Sequence, residues 1–431
     1  MQPESSPSEP APEPKSTRPG SLLVIFLTVF IDLLGFGIVL PLLPIYADQF
    51  GQDPSGWVIG MLMASFSIMQ FLFAPMWGAL SDRIGRRPVI MIGLTGSVIF
   101  YFLFGVATIC KSLFWLFVTR IGAGIAGATV STAQAYIADT TENENRARGM
   151  ALIGIAFGLG FTLGPLFAVF AVPTGDADPG PGPGFVASGL SLVALILAIF
   201  KLPESLSSSS QTANTRRWWD GERWRAAFSS RAIKWLLAGF FVCIFSFACF
   251  ETTLSMLLKG SSDFENPPFE FGFKQVCWTF ALIGFLVAFV QGGLVRPLTK
   301  YVPERTLAIT GALIEVVGFA IMVHAASTGS LPSLYAALIV IVVGYACLQP
   351  NLYSLLSRWS DPTRQGAVLG TGQSVNAMAR ILGSAIGIPM LKANFFSPFG
   401  LPYVVSSVLM LFVAVFVFRA SQLGKDFSSE G

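Results

Sequence analysis

Five charged side chains stand inside long apolar runs of this chain: Asp32, Arg120, Glu251, Glu315 and Arg380. A charge at mid-bilayer costs roughly 2.5–3.5 kcal/mol on insertion scales, so each needs a function or a partner. The chemistry such residues offer is not bond-making. A carboxyl deep in apolar surroundings can bind and release a proton as its access to water changes. A guanidinium there takes up an anion or locks a carboxylate. Asp32, about a dozen residues into the first apolar run, is therefore a candidate proton site, or else a hydrogen-bonding link to a neighbouring helix. Glu251, in "CFETTLSML", has the same two readings, and Arg380, in "QSVNAMARILG", is a candidate anion or carboxylate partner. Catalytic sets are missing. There is no Ser/His/Asp arrangement, metal-ligand spacing or phosphate loop, so an enzyme is not expected. The five cysteines (Cys110, Cys243, Cys249, Cys277, Cys347) form no CxxC and read as small apolar residues, and His324 has no companion ligand.

A second group is the stretch Gly78 to Pro88, "GALSDRIGRRP", which sets Asp82, Arg83, Arg86 and Arg87 between two apolar runs. The link is short, so its glycines Gly78 and Gly85 must allow a tight reversal. The arginines anchor that end on one side of a membrane. Asp82 needs another reason, because acids contribute little to topology. A carboxylate near the start of the eleventh span would meet the positive end of that helix dipole. Arg86 could pair with Asp139 at the end of the fourth span.

The elements that must hold these residues follow from composition. The 431 residues are 53% hydrophobic and only 12% charged, about half the charge of a soluble protein. Several apolar runs exceed the roughly 18 residues that mark a membrane span. Twelve spans are expected, near 21–46, 57–79, 88–109, 113–137, 149–172, 185–200, 234–258, 273–295, 306–326, 333–356, 366–391 and 402–419. Each must be helical, because lipid cannot satisfy an open backbone. The sixth is short and should borrow residues from the loop before it. Both tails and the even-numbered loops hold 21 Lys and Arg against four in the opposite loops (Lys111, Lys259, Lys274 and Lys392). That asymmetry puts both termini in the cytoplasm.

The proposed organisation is a disordered tail over 1–20, a six-helix bundle over 21–200, a linker over 201–233, a second bundle over 234–420 and a short tail over 421–431. The linker opens with a Ser-rich stretch and ends in "TRRWWDGERWRAAFSSR", whose Trp and Arg mixture suits a helix in the headgroup layer, with a partner-binding segment as the alternative. The halves echo one another. The step along the chain from Asp32 to Glu251 equals the step from Leu163-Gly164 to Leu382-Gly383, and that from Gly78 to Gly293 is nearly the same. This supports two parallel repeats with a site between them.

These motifs resemble the major facilitator superfamily. "GALSDRIGRRP" fits its G-x-x-x-D-R-x-G-R-R pattern between spans 2 and 3, with Gly78, Asp82, Arg83, Gly85, Arg86 and Arg87 in place. "DLLGFGIVLPLLP" in span 1 and "RIGAGIAGATVSTAQAYIAD" in span 4 resemble the drug:proton antiporters, especially the tetracycline-efflux type. "RGMALIGIAFGLGFTLGP" in span 5 is similar to the tetracycline-transporter-like proteins of animals. Its Gly160, Gly164 and Pro165 match the antiporter signature, and Gly-rich helices can approach closely there. Ala168 and Val169 replace the signature's final glycines.

The resemblance implies an all-α membrane protein of twelve transmembrane helices in two pseudo-symmetric bundles. It implies alternating access, with the loop motif as the conformational switch, Asp32 and Glu251 as proton-coupling groups and Arg120 facing the cavity to pair with an acid or relay protons. Spans 1, 4, 7 and 10 would line the cavity, and spans 2, 5, 8 and 11 would gate it. Span 9 is a supporting helix in that superfamily, which makes Glu315 structural. Polar candidates for the cavity are Gln70, Gln134, Gln291, Gln349, Asn351, Tyr353, Gln373, Asn376 and Arg380. The expected activity is proton-coupled efflux of small amphipathic compounds by a monomer, without cofactor, metal or nucleic acid. A facilitator or importer of organic anions, using Arg120 and Arg380, is the alternative. A membrane scaffold that moves no solute is a third reading.

Overall fold

The computed structural model describes residues 19–51, 53–141, 146–173, 178–206, 230–260, 264, 267–360, 365–393 and 399–424. The tail before residue 19, the tail after 424 and linker residues 207–229, with the expected headgroup-layer helix, lie outside the described residues. Among the described residues, twelve helices are long and apolar enough to cross a membrane. They are Leu22–Val39, Trp57–Ile84, Arg86–Ile109, Leu113–Thr140, Leu152–Ala171, Gly182–Lys201, Arg231–Lys259, Phe273–Leu298, Glu304–Thr328, Leu331–Arg358, Val368–Lys392 and Leu401–Leu423, numbered below as spans 1 to 12.

Where the spans depart from expectation, backbone chemistry explains it. The first run does not continue unbroken to residue 46. Helix Pro19–Val39 ends, and a separate short helix, Leu43–Phe50, follows. Pro41 and Pro44 cannot donate the hydrogen bonds that a continuous helix requires. Span 4 is interrupted between Gly127 and Val130. Three side chains bridge spans 2 and 4 around the gap. Gln70 Nε2 donates to the Gly127 carbonyl at 3.2 Å, Trp77 Nε1 donates to the Ile125 carbonyl at 2.7 Å, and Ser131 Oγ of span 4 donates to the Ala74 carbonyl at 2.9 Å. Span 6 starts at Gly182, inside the preceding loop, as its short apolar run required. Span 8 carries a π-helical turn over Val290–Val295, around Gly292 and Gly293.

The two halves repeat the same packing. Span 1 packs on spans 5 and 6, and span 3 on spans 4 and 6. Likewise span 7 packs on spans 11 and 12, and span 9 on spans 10 and 12. The halves meet through spans 2 and 11 and through spans 5 and 8. Lipid tails are as apolar as the helices, so close contact depends on small residues rather than on hydrophobicity. Spans 1 and 5 meet at Gly37, Gly160 and Gly164. A Cβ on Gly37 would lie 2.5 Å from the Gly160 carbonyl oxygen, and one on Gly164 would lie 2.6 Å from the Gly37 backbone.

That contact yields a stability prediction. Gly164→Ala forces the two backbones apart and should lower stability by roughly 1–3 kcal/mol. Gly158→Ala, where a Cβ meets nothing within 4 Å, should leave it unchanged. Thermal unfolding of the detergent-solubilised protein checks both, and equal midpoints would disprove the contrast.

Candidate functional site

The loop after span 2 is shorter than its motif suggests. Helix runs to Ile84 and restarts at Arg86, so Gly85 alone makes the reversal, at φ +104. Gly78, Asp82 and Arg83 are helical, which corrects the expectation that Gly78 serves the turn. Arg86 is the hub. Its guanidinium meets Asp82 at 2.5 Å, Asp139 at 3.0 Å and the Ser81 hydroxyl at 2.6 Å, and only 8% of the side chain is exposed. Spans 2, 3 and 4 are thereby tied at one end. Asp82 pairs with Arg86 across the Gly85 reversal; the start of span 11, its other expected neighbour, has side chains outside the described residues through 367.

Glu204, just past span 6, is a member that the motif did not reveal. Its carboxylate accepts the backbone N–H of Arg86 at 2.9 Å and that of Arg87 at 3.1 Å. These are donors without a partner in their own helix, at the positive end of span 3. Arg87 also donates to the Ile199 carbonyl at 2.6 Å, and the Ser205 hydroxyl reaches Asp139 at 3.4 Å. Arg83 is exposed. The second half carries a staple at the same place with the signs exchanged. Glu304, at the start of span 9, pairs with Arg358 at 3.3 Å. Arg358 is the repeat counterpart of Asp139, by the same step that relates Asp32 to Glu251.

The opposite end is shut. Lys392, closing span 11, reaches across to the first half. It meets Asp48 at 3.2 Å and donates to the Asp53 carbonyl at 2.7 Å, with 3% of the lysine side chain and 7% of the aspartate exposed. Asp53 in turn accepts the Ile59 N–H at 3.0 Å and the Ser55 hydroxyl at 2.9 Å. Beside this pair Gly56 and Gly60 lie against the backbone of Ile388 and Ala385 in span 11, and Gly284 of span 8 lies against Thr162 of span 5.

The Gly85 end is open. Gly78 follows Gly60 by about five whole turns and so shares its helix face, and Gly370 shares one with Ile388 in the same way. A Cβ at Gly78, Gly154, Gly158, Gly292, Gly293 or Gly370 would meet nothing within 4 Å. Spans 2, 5, 8 and 11 touch at one end and part at the other, leaving a vestibule.

The central charges divide in two. Asp32 accepts the Ser191 hydroxyl of span 6 at 3.0 Å, with Ser97 of span 3 as a second hydroxyl neighbour. Glu251 pairs with Arg380 at 3.3 Å, spans 7 to 11, with 10% and 29% of the side chains exposed. Of the two uses expected for Arg380, locking a carboxylate is the one seen. Arg120 makes no ion pair among the described residues. Its guanidinium instead lies 4.6 Å from the Phe66 ring centre and 5.6 Å from that of Phe36, and 2% of the residue is exposed. Ring faces carry partial negative charge and stabilise a cation that lacks an acid. Glu315 is fully buried, and neither carboxyl oxygen has a hydrogen-bond partner among the described residues.

Several cavity candidates are otherwise engaged. Asn351 is buried and donates to the Cys347 carbonyl of its own helix at 2.6 Å, so it does not line the vestibule. Gln70 serves the break in span 4. Gln373, exposed on span 11, donates to the Tyr353 hydroxyl of span 10 at 2.7 Å, which brings two candidates together. Gln134, Gln291, Gln349 and Asn376 are half-buried. Among the described residues no three His, Cys, Asp or Glu side chains gather into a metal-binding group.

Comparison with known proteins gives a consistent set. The profile of the Major Facilitator Superfamily matches residues 25–384. The chain is 29% identical over 398 residues to the class C tetracycline resistance protein of Escherichia coli, covering 91% of this chain and 94% of that protein. It is 28% identical over 421 residues to the major facilitator superfamily domain-containing protein 10 of Mus musculus, covering 87% and 88%. Among solved structures, the human organic anion transporter MFSD10 (TETRAN) superposes with a TM-score of 0.66 at 26% identity, covering 93% of this chain and 99% of the other. A D-xylose–proton symporter shares the fold at a TM-score of 0.72 and 17% identity, covering 95% and 99%.

The Lys392 latch supplies a prediction. Removing one partner of a buried ion pair typically costs roughly 3–5 kcal/mol. Lys392→Met should therefore open that end, raising the reaction of a cysteine placed at Ile388, fully buried against Gly56 of the other half, with a membrane-impermeant thiol reagent at least about tenfold. Exchanging the two charges, Asp48→Lys with Lys392→Asp, should restore most of the protection. A labelling rate that ignores both changes would show that the pair does not hold the halves together.

Proposed function

The chain belongs to the major facilitator superfamily, and on that premise we propose that it exports small amphipathic compounds, tetracycline-like drugs or organic anions, in exchange for protons. The observation that carries this reading is the pair Asp32 and Glu251. Two carboxyls stand at repeat-related positions in the membrane, one held by hydroxyls and one by an arginine beside an open vestibule. Protonation changes the bonding of each. Asp32 would become a donor to the serines, and Glu251 would release Arg380. Such changes at the centre bias a two-state body whose ends are latched by other charges.

The excess of Lys and Arg assigns the Gly85 end to the cytoplasm. On this reading the protein works as a monomer and faces inward here, with Lys392 and Asp48 closing the outer face. Compounds would enter the vestibule from inside, meeting Gln373, Tyr353 and the exposed part of Arg380. The names of the relatives, tetracycline resistance proteins and an organic anion transporter, point to the two substrate classes. A facilitator of organic anions without proton coupling is the second reading. It is favoured by Arg120, a buried cation with no carboxylate in contact among the described residues.

Proteoliposome flux across a panel of such compounds, with an imposed pH gradient, tests the choice. Asp32→Asn should cut proton-driven flux at least about tenfold while leaving substrate–substrate exchange largely intact. Undiminished proton-driven flux in the variant would remove Asp32 from the mechanism. Wild-type flux that ignores the gradient would favour the facilitator.

A further inference from the structure

Arg380 has a second partner, and it comes from the other half of the molecule. Its guanidinium carbon lies 5.4 Å from the ring centre of Phe161, on span 5. The step along the chain from Phe161 to Arg380 is the same as that from Asp32 to Glu251. Phe161 therefore occupies in the first half the place that Arg380 occupies in the second. Two repeat-related residues can touch only near the axis that relates the halves, so this contact sits at the centre of the transporter.

The substitution of a ring for a cation also explains the differing surroundings of the two acids. Glu251 has an arginine; Asp32 has serines and no arginine in hydrogen-bonding contact among the described residues. Phe161 is not isolated. Its ring meets Phe36 edge-on at 5.6 Å, Phe36 meets Phe66 at 4.7 Å, and Arg120 lies over both of those rings. One aromatic cluster of the first half thus receives both central arginines. Of these three cation–ring contacts, only that with Arg380 crosses between the halves.

We propose that Phe161 is a positioning residue for Arg380, a cation–π contact across the pseudo-twofold axis that holds the guanidinium in the Gly85-end-open state and weights the protein toward that state. A guanidinium is planar. Glu251 engages Nη1 and the guanidinium carbon stands 5.4 Å from the Phe161 ring centre, while 29% of the arginine side chain stays exposed. When the halves tilt, spans 5 and 11 move with different halves and the contact weakens. The inference rests on the reading of the chain as a two-state transporter.

The test uses the full-length protein in lipid nanodiscs, with native cysteines removed and Gly292→Cys as a reporter at the open end. Phenylalanines bearing one, two and three ring fluorines are placed at position 161. Fluorine drains the negative charge of the ring face while nearly preserving its shape. The reporter's reaction rate with an impermeant thiol reagent should fall stepwise along the series, by roughly threefold to tenfold in all. Phe161→Leu should reach the bottom of that range, and Phe161→Trp should hold the wild-type rate. In an Arg380→Gln background the series should be flat, which simple packing would not produce. A flat series with Arg380 present, or an equal slope without it, overturns the proposal. Lys392→Met distinguishes the two levels of failure. If that change and every substitution at Phe161 leave the reporter's rate unaltered, the two-state reading falls and this inference with it. If Lys392→Met alters it and the series is flat, only the role of Phe161 falls.

Discussion

A charge surrounded by hydrocarbon and protein must find its partner inside the protein, and where the partner sits decides which helices are tied together. The charged ties between helices in this molecule follow from that requirement. Arg86 gathers spans 2, 3 and 4 through Asp82 and Asp139. Arg380 joins spans 7 and 11 through Glu251. Lys392 reaches from one half into the other and meets Asp48. Where no acid is at hand, as for Arg120, ring faces take its place. Glu315, with neither a bonded donor nor exposure to water, is the exception among the described residues.

These ties are unequally placed, and the inequality makes the body two-ended. Among the described residues, the ion pairs at the Gly85 end lie within each half and leave the halves free to separate there. At the other end Lys111 pairs with Asp178 within the first half, but the buried pair of Lys392 and Asp48 lies between halves and binds them. Small residues complete the arrangement. Gly56, Gly60 and Gly284 allow backbone-close contact at the shut end, while their counterparts at the open end face empty space. A close-packed interface on one side and a vacant one on the other is a shape that two rigid bundles can exchange by tilting.

The duplication is visible in the packing, and its departures are more informative than its agreements. Asp139 and Arg358 occupy related places with opposite sign, so each half keeps its staple while the charges are exchanged. Asp32 and Glu251 are both acids, but Phe161 stands where Arg380 would be repeated. Neither Lys392 nor Asp48 has a charged counterpart: the repeat-related positions hold Pro173 and Pro267. The symmetric parts build the bundles, and the asymmetric parts distinguish the ends and the centre.

The sequence by itself determined the twelve spans, the two halves and the short list of charges that needed an explanation. Apolar length, glycine spacing and the rarity of charge act on the helix that contains them, so their consequences are local and readable. The pairing of Arg86 with Asp139 was also within reach, because both belong to a recognisable motif set. Partners across the fold were not. Lys392 reads in the sequence as one more basic residue in an outer loop, and nothing near it names Asp48, which lies in the other half of the chain. Glu204 looks like the start of a polar linker until the span 3 amides are placed above it. Asn351 looked available until burial and its own helix claimed it. Which residues face one another depends on how twelve helices rotate and tilt together. That is set by the summed packing of all their surfaces, and only the tertiary structure carries it.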